Sequence, residues 1–194
     1  IRQLKQIDEL VTHFTNNSEL FLTTLNSLQG YISISNSLKP YIHSIKFRIK
    51  EANHLKDKLI RKTLEAQEKG EAFKVTKDNL FTTINDLVGL RIIHLYTKQI
   101  EVIDKELKKI LSTQQWQIIE GPNARTWDDE SRKYFKSIGI ETSDNDNMYT
   151  SVHYIIQPNS KAVLTCEIQV RTLMEEVWGE VDHTINYPHK TDSL

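Results

Sequence analysis

Several things are scarce in this chain, and each scarcity removes a class of explanation. Cys166 is the only cysteine among 194 residues. No internal disulfide and no cysteine zinc cage can form, so a reducing, cytoplasmic compartment is expected. The six glycines are scattered and form neither Gly-x-x-x-x-Gly-Lys nor Gly-x-Gly-x-x-Gly, so any ATP must be held by side chains and metal rather than by a glycine-rich cradle. No apolar run approaches membrane-spanning length, and the start lacks the basic-then-apolar pattern of a signal peptide, so no membrane partner is expected. Neither charge dominates: 25 Lys and Arg stand against 26 Asp and Glu, whereas a general nucleic-acid binder is usually markedly basic. Internal repeats and low-complexity tracts are absent as well. The chain opens at Ile1 rather than Met, as expected of a trimmed sequence.

What remains, 38% apolar and 26% charged residues, is the composition of a soluble globular domain with helical appendages, long enough to bury a sizeable core. Leu4, Ile7, Val11 and Phe14, then Phe21, Leu22, Leu25 and Leu28, recur at helical spacing, with Gly30 as a stop. Ile45, Phe47 and Ile49 alternate with Lys46, Arg48 and Lys50 as a strand does. Leu55, Leu59 and Leu64 mark a long basic helix fading at Gly70. The β-branched run from Val88 to Tyr96 reads as a buried strand. Ile103, Leu107, Ile110 and Leu111 define another helix, and a strand follows around Gln115 to Glu120. Gly121 to Asn123 reads as a turn, 127–136 as a charged helical insertion, and 143–147 as an acidic loop. Pro158 to Ser160 joins two strands as a hairpin. Thr172, with Glu175 at capping-box distance, opens a last helix whose apolar stripe is Leu173, Val177, Val181 and Ile185 and which ends at Pro188. This order predicts an α+β fold, divided as a helical segment over 1–38 and one compact unit over 39–194.

The chemistry concentrates near the end. Alternate residues of a strand share a face, so Tyr149, Ser151 and His153 project together, as do Glu167, Gln169 and Arg171. An aromatic ring, an imidazole, a carboxylate, an amide and a guanidinium therefore line one surface, backed by Val152, Tyr154, Ile156, Ile168 and Val170. Asp86 precedes one buried strand and Glu167 lies on another. Carboxylates so placed suit Mg²⁺, which takes a few carboxylates plus substrate phosphates; the alternative is that Asp86 caps a turn and Glu167 pairs with Arg171. Arg48 and Lys50 open onto a basic helix carrying Lys56, Lys58, Arg61 and Lys62. For Lys56, Arg61 and Lys62 the ordinary fate of such a run, a solvated face, is preferred. Glu176, Glu180 and His183 share a helix face, but a carboxylate-bridged di-metal site needs a second Glu-x-x-His, and the sequence has none.

Four strings, in order, give these residues a further meaning: Asp86-Leu87-Val88-Gly89-Leu90-Arg91, Tyr149-x-Ser151-x-His153, Glu167-Ile168-Gln169-Val170-Arg171-Thr172, and Trp178-Gly179-Glu180-Val181-Asp182-His183. With the weaker Arg48-Ile49-Lys50 they resemble the synthetase domain of the RelA/SpoT family, which makes the alarmones pppGpp and ppGpp. The resemblance implies a mixed five-stranded sheet with packed helices, similar to nucleotidyltransferases. It implies Mg²⁺-dependent transfer of the β,γ-diphosphate of ATP to the 3′ hydroxyl of GDP or GTP. Asp86 is then the metal ligand, and Glu167 a second ligand or the base for the acceptor hydroxyl. Arg48, Lys50 and Lys58 match ATP-binding positions, although His54 falls where the family usually has Ser or a similar small residue.

Tyr149 matches the family's guanine-stacking tyrosine. His153, Gln169, His183 and Asn186 fall to the acceptor side, His153 against phosphate or ribose and Asn186 against a base edge. One departure stands out. The family generally has Gly before this tyrosine, after a Lys/Pro/Asn-rich stretch; here Met148 follows Ser143-Asp144-Asn145-Asp146-Asn147. Basic groups for the acceptor's 5′ phosphates would have to come from Arg132, Lys133 or Lys136. The altered loop also admits the toxic relatives' acceptor, the 3′ end of tRNA, as a second reading. A non-catalytic nucleotide-binding module is a third, against which the retention of both Asp86 and Glu167 argues. No hydrolase-type His-Asp cluster precedes the strings, so a synthetase-only member is expected. A homo-oligomer is compatible with all of these.

Overall fold

The computed structural model describes residues 2–145 and 148–186, except for the side chains of Arg2, His183 and Asn186. Two helices, α1 (Arg2–Asn16) and α2 (Ser18–Ser33), lead into β1 (Ser44–Ile49) and the basic helix α3 (Ala52–Glu68). A four-residue helical turn, α4 (Leu80–Thr83), precedes β2 (Val88–His94). Then come α5 (Ile100–Thr113), β3 (Gln117–Thr126), α6 (Asp129–Ser137), β4 (Glu141–Asp144), β5 (Ser151–Gln157), β6 (Cys166–Thr172) and α7 (Leu173–Asn186). The α+β architecture is as expected. The sheet, however, has six strands rather than five, in the order β1-β2-β6-β5-β3-β4. The extra one is β4, which pairs parallel to the edge of β3 from Glu141 to Asp144. Its four residues are polar and exposed or half-buried, so no alternation marks them as a strand.

Two other boundaries move. Gly121 to Asn123 is not a turn but the interior of β3, where the pairing to β5 shifts register between Glu120 and Asn123. Gly121 takes a φ of +92°, and a Cβ there would run into the carbonyl oxygen of His153. Glycine is therefore required at this bulge, for backbone conformation and for close approach to β5. Nor does Gly30 stop α2, which continues to Ser33. Gly70 does end α3. Its φ is +67°, and Glu71 donates its backbone N–H to the carbonyl of Ala66 at 2.8 Å, closing the helix as glycine C-caps do.

The apolar core is continuous from Ile7 and Phe14 on α1, through Phe21 and Leu28 on α2 and Ile103 and Leu107 on α5, to Leu90, Ile92, Tyr154, Ile168 and Val170 in the sheet. Tyr154 donates its hydroxyl to Asp104 at 2.9 Å, tying α5 to β5 where the phenol is buried. Leu4, Leu22 and Leu64 lie at helix edges and stay exposed. The stripe expected of α7 is not its inward face: Val177, Val181 and Ile185 are exposed, while Glu176 is buried. The helix lies beside the polar sheet face, whose arginines and Lys46 draw the carboxylate inward. The cap is as expected, with Thr172 Oγ1 accepting from the N–H of Glu175; Pro188 lies outside the described residues. No helix among the described residues is long and apolar enough to cross a membrane.

Candidate active site

Register places the polar residues. Arg48 on β1 is level with Gly89 on β2, which is level with Glu167 on β6. One pair further on, Lys46, Arg91, Gln169 and His153 form a second row across four strands. Side chains in register on adjacent strands share a face, and these rows, except for the buried His153, form the floor of a cleft of about 690 Å³. Tyr149, Arg171, Glu180 and Asp182 are among the residues that wall it. A cleft of this size suits a substrate of nucleotide dimensions. Gly89 leaves a gap in the first row, and a Cβ there would meet only the backbone oxygen of Glu167, at 3.8 Å.

Asp86 stands just before β2. The backbone N–H of Lys50 bonds the carbonyl of Leu87 at 2.9 Å, bringing the end of β1 alongside it. Lys50 Nζ then donates to Oδ2 at 2.8 Å, and Lys58 Nζ, from α3, donates to Oδ1 at 2.9 Å. Burial alone would push the Asp86 carboxyl up, but the hydrogen bonds and charges of the two lysines outweigh it and hold its pKa below the ordinary aspartate value. Burial pulls the Lys50 ammonium down, only partly opposed by Asp86. Of the three residues expected on the ATP side, Arg48 lines the cleft, whereas Lys50 and Lys58 grip Asp86.

Glu167 is held in a comparable way. Its Oε1 meets His153 Nδ1 at 2.9 Å, and its Oε2 accepts from Gln169 Nε2 at 2.9 Å. Burial would raise its pKa, but these partners, led by His153, lower it overall. His153 Nε2 lies 2.6 Å from Ser151 Oγ. Both ring nitrogens are thus engaged by protein groups and the ring is buried, so His153 holds Glu167 rather than facing a substrate. Burial holds this imidazole below its usual pKa and keeps it neutral. An ionised carboxylate only accepts, so Nδ1 carries the proton and Ser151 donates to Nε2.

Asp86 and Glu167 also sense each other electrostatically. Every carboxylate oxygen in the pair has one protein donor and a further lone pair. Two ionised carboxylates with lone pairs to spare suit a hard cation that completes its shell with phosphate oxygens. Among the described residues, no three His, Cys, Asp or Glu side chains gather to hold a metal by themselves.

Tyr149 and Gln169 reach the cleft as expected, while the side chains of His183 and Asn186 lie outside the described residues. Arg132, Lys133 and Lys136 do not line the cleft. Arg132 is instead paired to Asp144 at 2.8 Å. Met148 has a φ of +54°, a left-handed conformation that disfavours side chains with a Cβ. That explains why a family would carry glycine there. Sequence reasoning missed the role of Glu176, which joins Lys46, Arg91 and Arg171. The placement of Lys46 on the same strand face as Arg48 was the available signal.

A mixed sheet with packed helices carrying this cleft agrees with the nucleotidyltransferase-like fold that the resemblance implied. The sequence matches the region found in RelA / SpoT proteins over residues 47–192, and the chain belongs to the RelA/SpoT family. No curated protein matches it. Among solved structures it is similar to the small alarmone synthetase 1 from Bacillus subtilis, with a TM-score of 0.55, 16% identity, and coverage of 93% of this chain and 78% of that one. The same synthetase bound to its product pppGpp gives a TM-score of 0.51 at 18% identity, covering 95% and 83%. A GTP pyrophosphokinase family protein from Streptococcus pneumoniae gives 0.55 at 18% identity, covering 93% and 76%.

Proposed function

We propose that this chain transfers the β,γ-diphosphate of ATP to the ribose 3′ hydroxyl of GDP or GTP, forming ppGpp or pppGpp and releasing AMP. Membership of the RelA/SpoT family supports this, as does a fold neighbour bound to pppGpp. The observation that carries it is the row Arg48–Gly89–Glu167, with Asp86 and Tyr149 lining the same cleft. A guanidinium for the donor, two ionised carboxylates and a ring for the acceptor base meet in one cleft. In the transfer, the 3′ oxygen bonds to the β-phosphorus, the bond from that phosphorus to the α,β-bridging oxygen breaks, and AMP leaves with that oxygen. Glu167, fixed by His153 and Gln169, is the group placed to take the 3′ hydroxyl proton. Arg48 binds the donor, and Lys50 and Lys58 keep Asp86 ionised and oriented. Asp86 and Glu167 are the residues that would hold Mg²⁺, which when bound neutralises polyphosphate charge.

Incubating the protein with ATP labelled at the β- or γ-phosphate, Mg²⁺ and, separately, GDP, GTP, AMP or tRNA tests the assignment. Label is expected in GDP and GTP, with little preference between them, because the acidic segment before Tyr149 offers no partner for extra 5′ charge. Transfer to tRNA alone would replace the acceptor and keep the chemistry. Transfer to none would leave a binding module.

A further inference from the structure

One buried carboxylate joins the two sides of the cleft. Glu176, on α7, has a side chain only 5% exposed and meets three cations. Lys46 Nζ lies 2.7 Å from Oε1. Arg91 Nη1 donates to both oxygens, at 3.0 and 3.1 Å. Arg171 Nη2 pairs with Oε2. Lys46 and Arg91 are level with each other on β1 and β2, next to the row that carries Arg48. Arg171 sits 5.6 Å from the centre of the Tyr149 ring. The network also reaches the reacting end: Arg91 Nε donates to Gln169 at 3.3 Å, and Gln169 donates to Glu167 at 2.9 Å.

Stability alone does not account for this arrangement. A buried ion pair such as Glu176 with Arg171 is commonly no better than apolar packing of the same volume, and α7 has apolar residues to offer, yet it leaves Val177 and Val181 exposed and turns Glu176 inward. Gly179, one turn on, leaves room for the guanidinium, since a Cβ there would lie 2.8 Å from Arg171 Nη1. We infer that Glu176 is a positioning residue that sets the donor-side and acceptor-side cations together, so that each subsite keeps its geometry only while the other does. This rests on the donor and acceptor sides proposed above.

Calorimetric binding of a non-hydrolysable ATP analogue and of GDP, each alone, tests it without turnover. Glu176→Gln keeps the volume and removes the charge. It is expected to weaken both nucleotides by about tenfold, the equivalent of one charge-assisted hydrogen bond lost at each subsite. A merely structural role would lower the number of binding sites per chain and leave both Kd values unchanged, and that result would overturn the inference, as would weakening of one nucleotide only. Should Glu176→Gln not fold, Arg91→Lys carries the test. It must weaken GDP as well as the ATP analogue, because the disturbance reaches Arg171 through Glu176, and a loss confined to the ATP analogue overturns the inference. Wild-type protein that binds neither nucleotide removes the proposed function and this inference with it. Nucleotide binding indifferent to both variants removes the inference alone.

Discussion

Asp86 and Glu167 are both held ionised, but by different means, and removing them has different consequences. Glu167 is fixed by a neutral imidazole and an amide. Glu167→Gln should therefore leave thermal stability near wild type while transfer falls at least about 10²- to 10³-fold, as when one stabilising group is lost from an active site. Asp86 is the counter-charge of Lys50, itself only 8% exposed. Asp86→Ala should abolish transfer and also cost about 1–3 kcal/mol of stability, because a buried ammonium loses its partner. Steady-state rates and denaturant unfolding check both, and near-wild-type turnover in either variant, with Mg²⁺ supplied, would take that residue out of the mechanism. Tyr149 has the Arg171 guanidinium near its ring, and the ring face is what an acceptor base would stack on. Tyr149→Ala should weaken the acceptor by roughly five- to 150-fold, from a stacking contribution of about 1–3 kcal/mol. Tyr149→Phe should be mild, since it keeps the face. A strong loss in the Phe variant would mean that the hydroxyl, not the ring, makes the contact.

Among the elements, β2 makes the sharpest test because its polar face contains a gap. Gly89 lies between Arg48 and Glu167 in register, and nothing but one backbone oxygen would touch a Cβ there. Gly89→Val should therefore fold, with stability within about 1 kcal/mol because a strand accepts a β-branched residue readily. Its isopropyl group fills the cleft floor, so ATP analogue binding and transfer should both be lost. A variant that folds and still turns over would place the donor elsewhere on the sheet.

The elements also differ in how legible they were in the sequence. β2 was readable as a β-branched apolar run, and β5 and β6 because polar and apolar residues alternate along them. Alternation assigned Gln169 and Arg171 to the cleft side, whereas of Tyr149, Ser151 and His153 only Tyr149, which precedes β5, lines the cleft, the other two being buried. β4 was not, because an edge strand of Glu141, Thr142, Ser143 and Asp144 has no apolar face to reveal it. The interior of β3 was hidden by Gly121 and Pro122, residues that signal a turn unless a bulge requires them. For α7, helical periodicity identified the apolar stripe correctly but not its direction. Which side of a helix faces inward depends on its neighbours, here a set of cations contributed by β1, β2 and β6.

Over the whole molecule the charges nearly balance, and they interleave at the cleft as well, where Lys46, Arg48, Arg91 and Arg171 stand among carboxylates that include Asp86 and Glu167, with Glu176 buried against Lys46, Arg91 and Arg171. The sheet that carries this arrangement shares one continuous core with α1, α2 and α5, so the cleft should be lost only when the core opens. Cys166 reports on that event. It begins β6, is fully buried, and its thiol is pushed up to about 12 by burial. Because the thiolate is the reactive form, an alkylating reagent should leave the native protein untouched and modify Cys166 only as the sheet opens. Nucleotides that bind only the folded cleft must suppress that opening by mass action. With the ATP analogue at about 100 times its Kd, the stabilisation is about 2.7 kcal/mol, or about hundredfold slower labelling. Mass spectrometry of time-quenched samples measures both rates. Rapid labelling indifferent to nucleotide would show that β6 opens locally, without the cleft. Labelling suppressed by nucleotide would tie the binding of a small phosphate-bearing ligand to the integrity of the entire sheet.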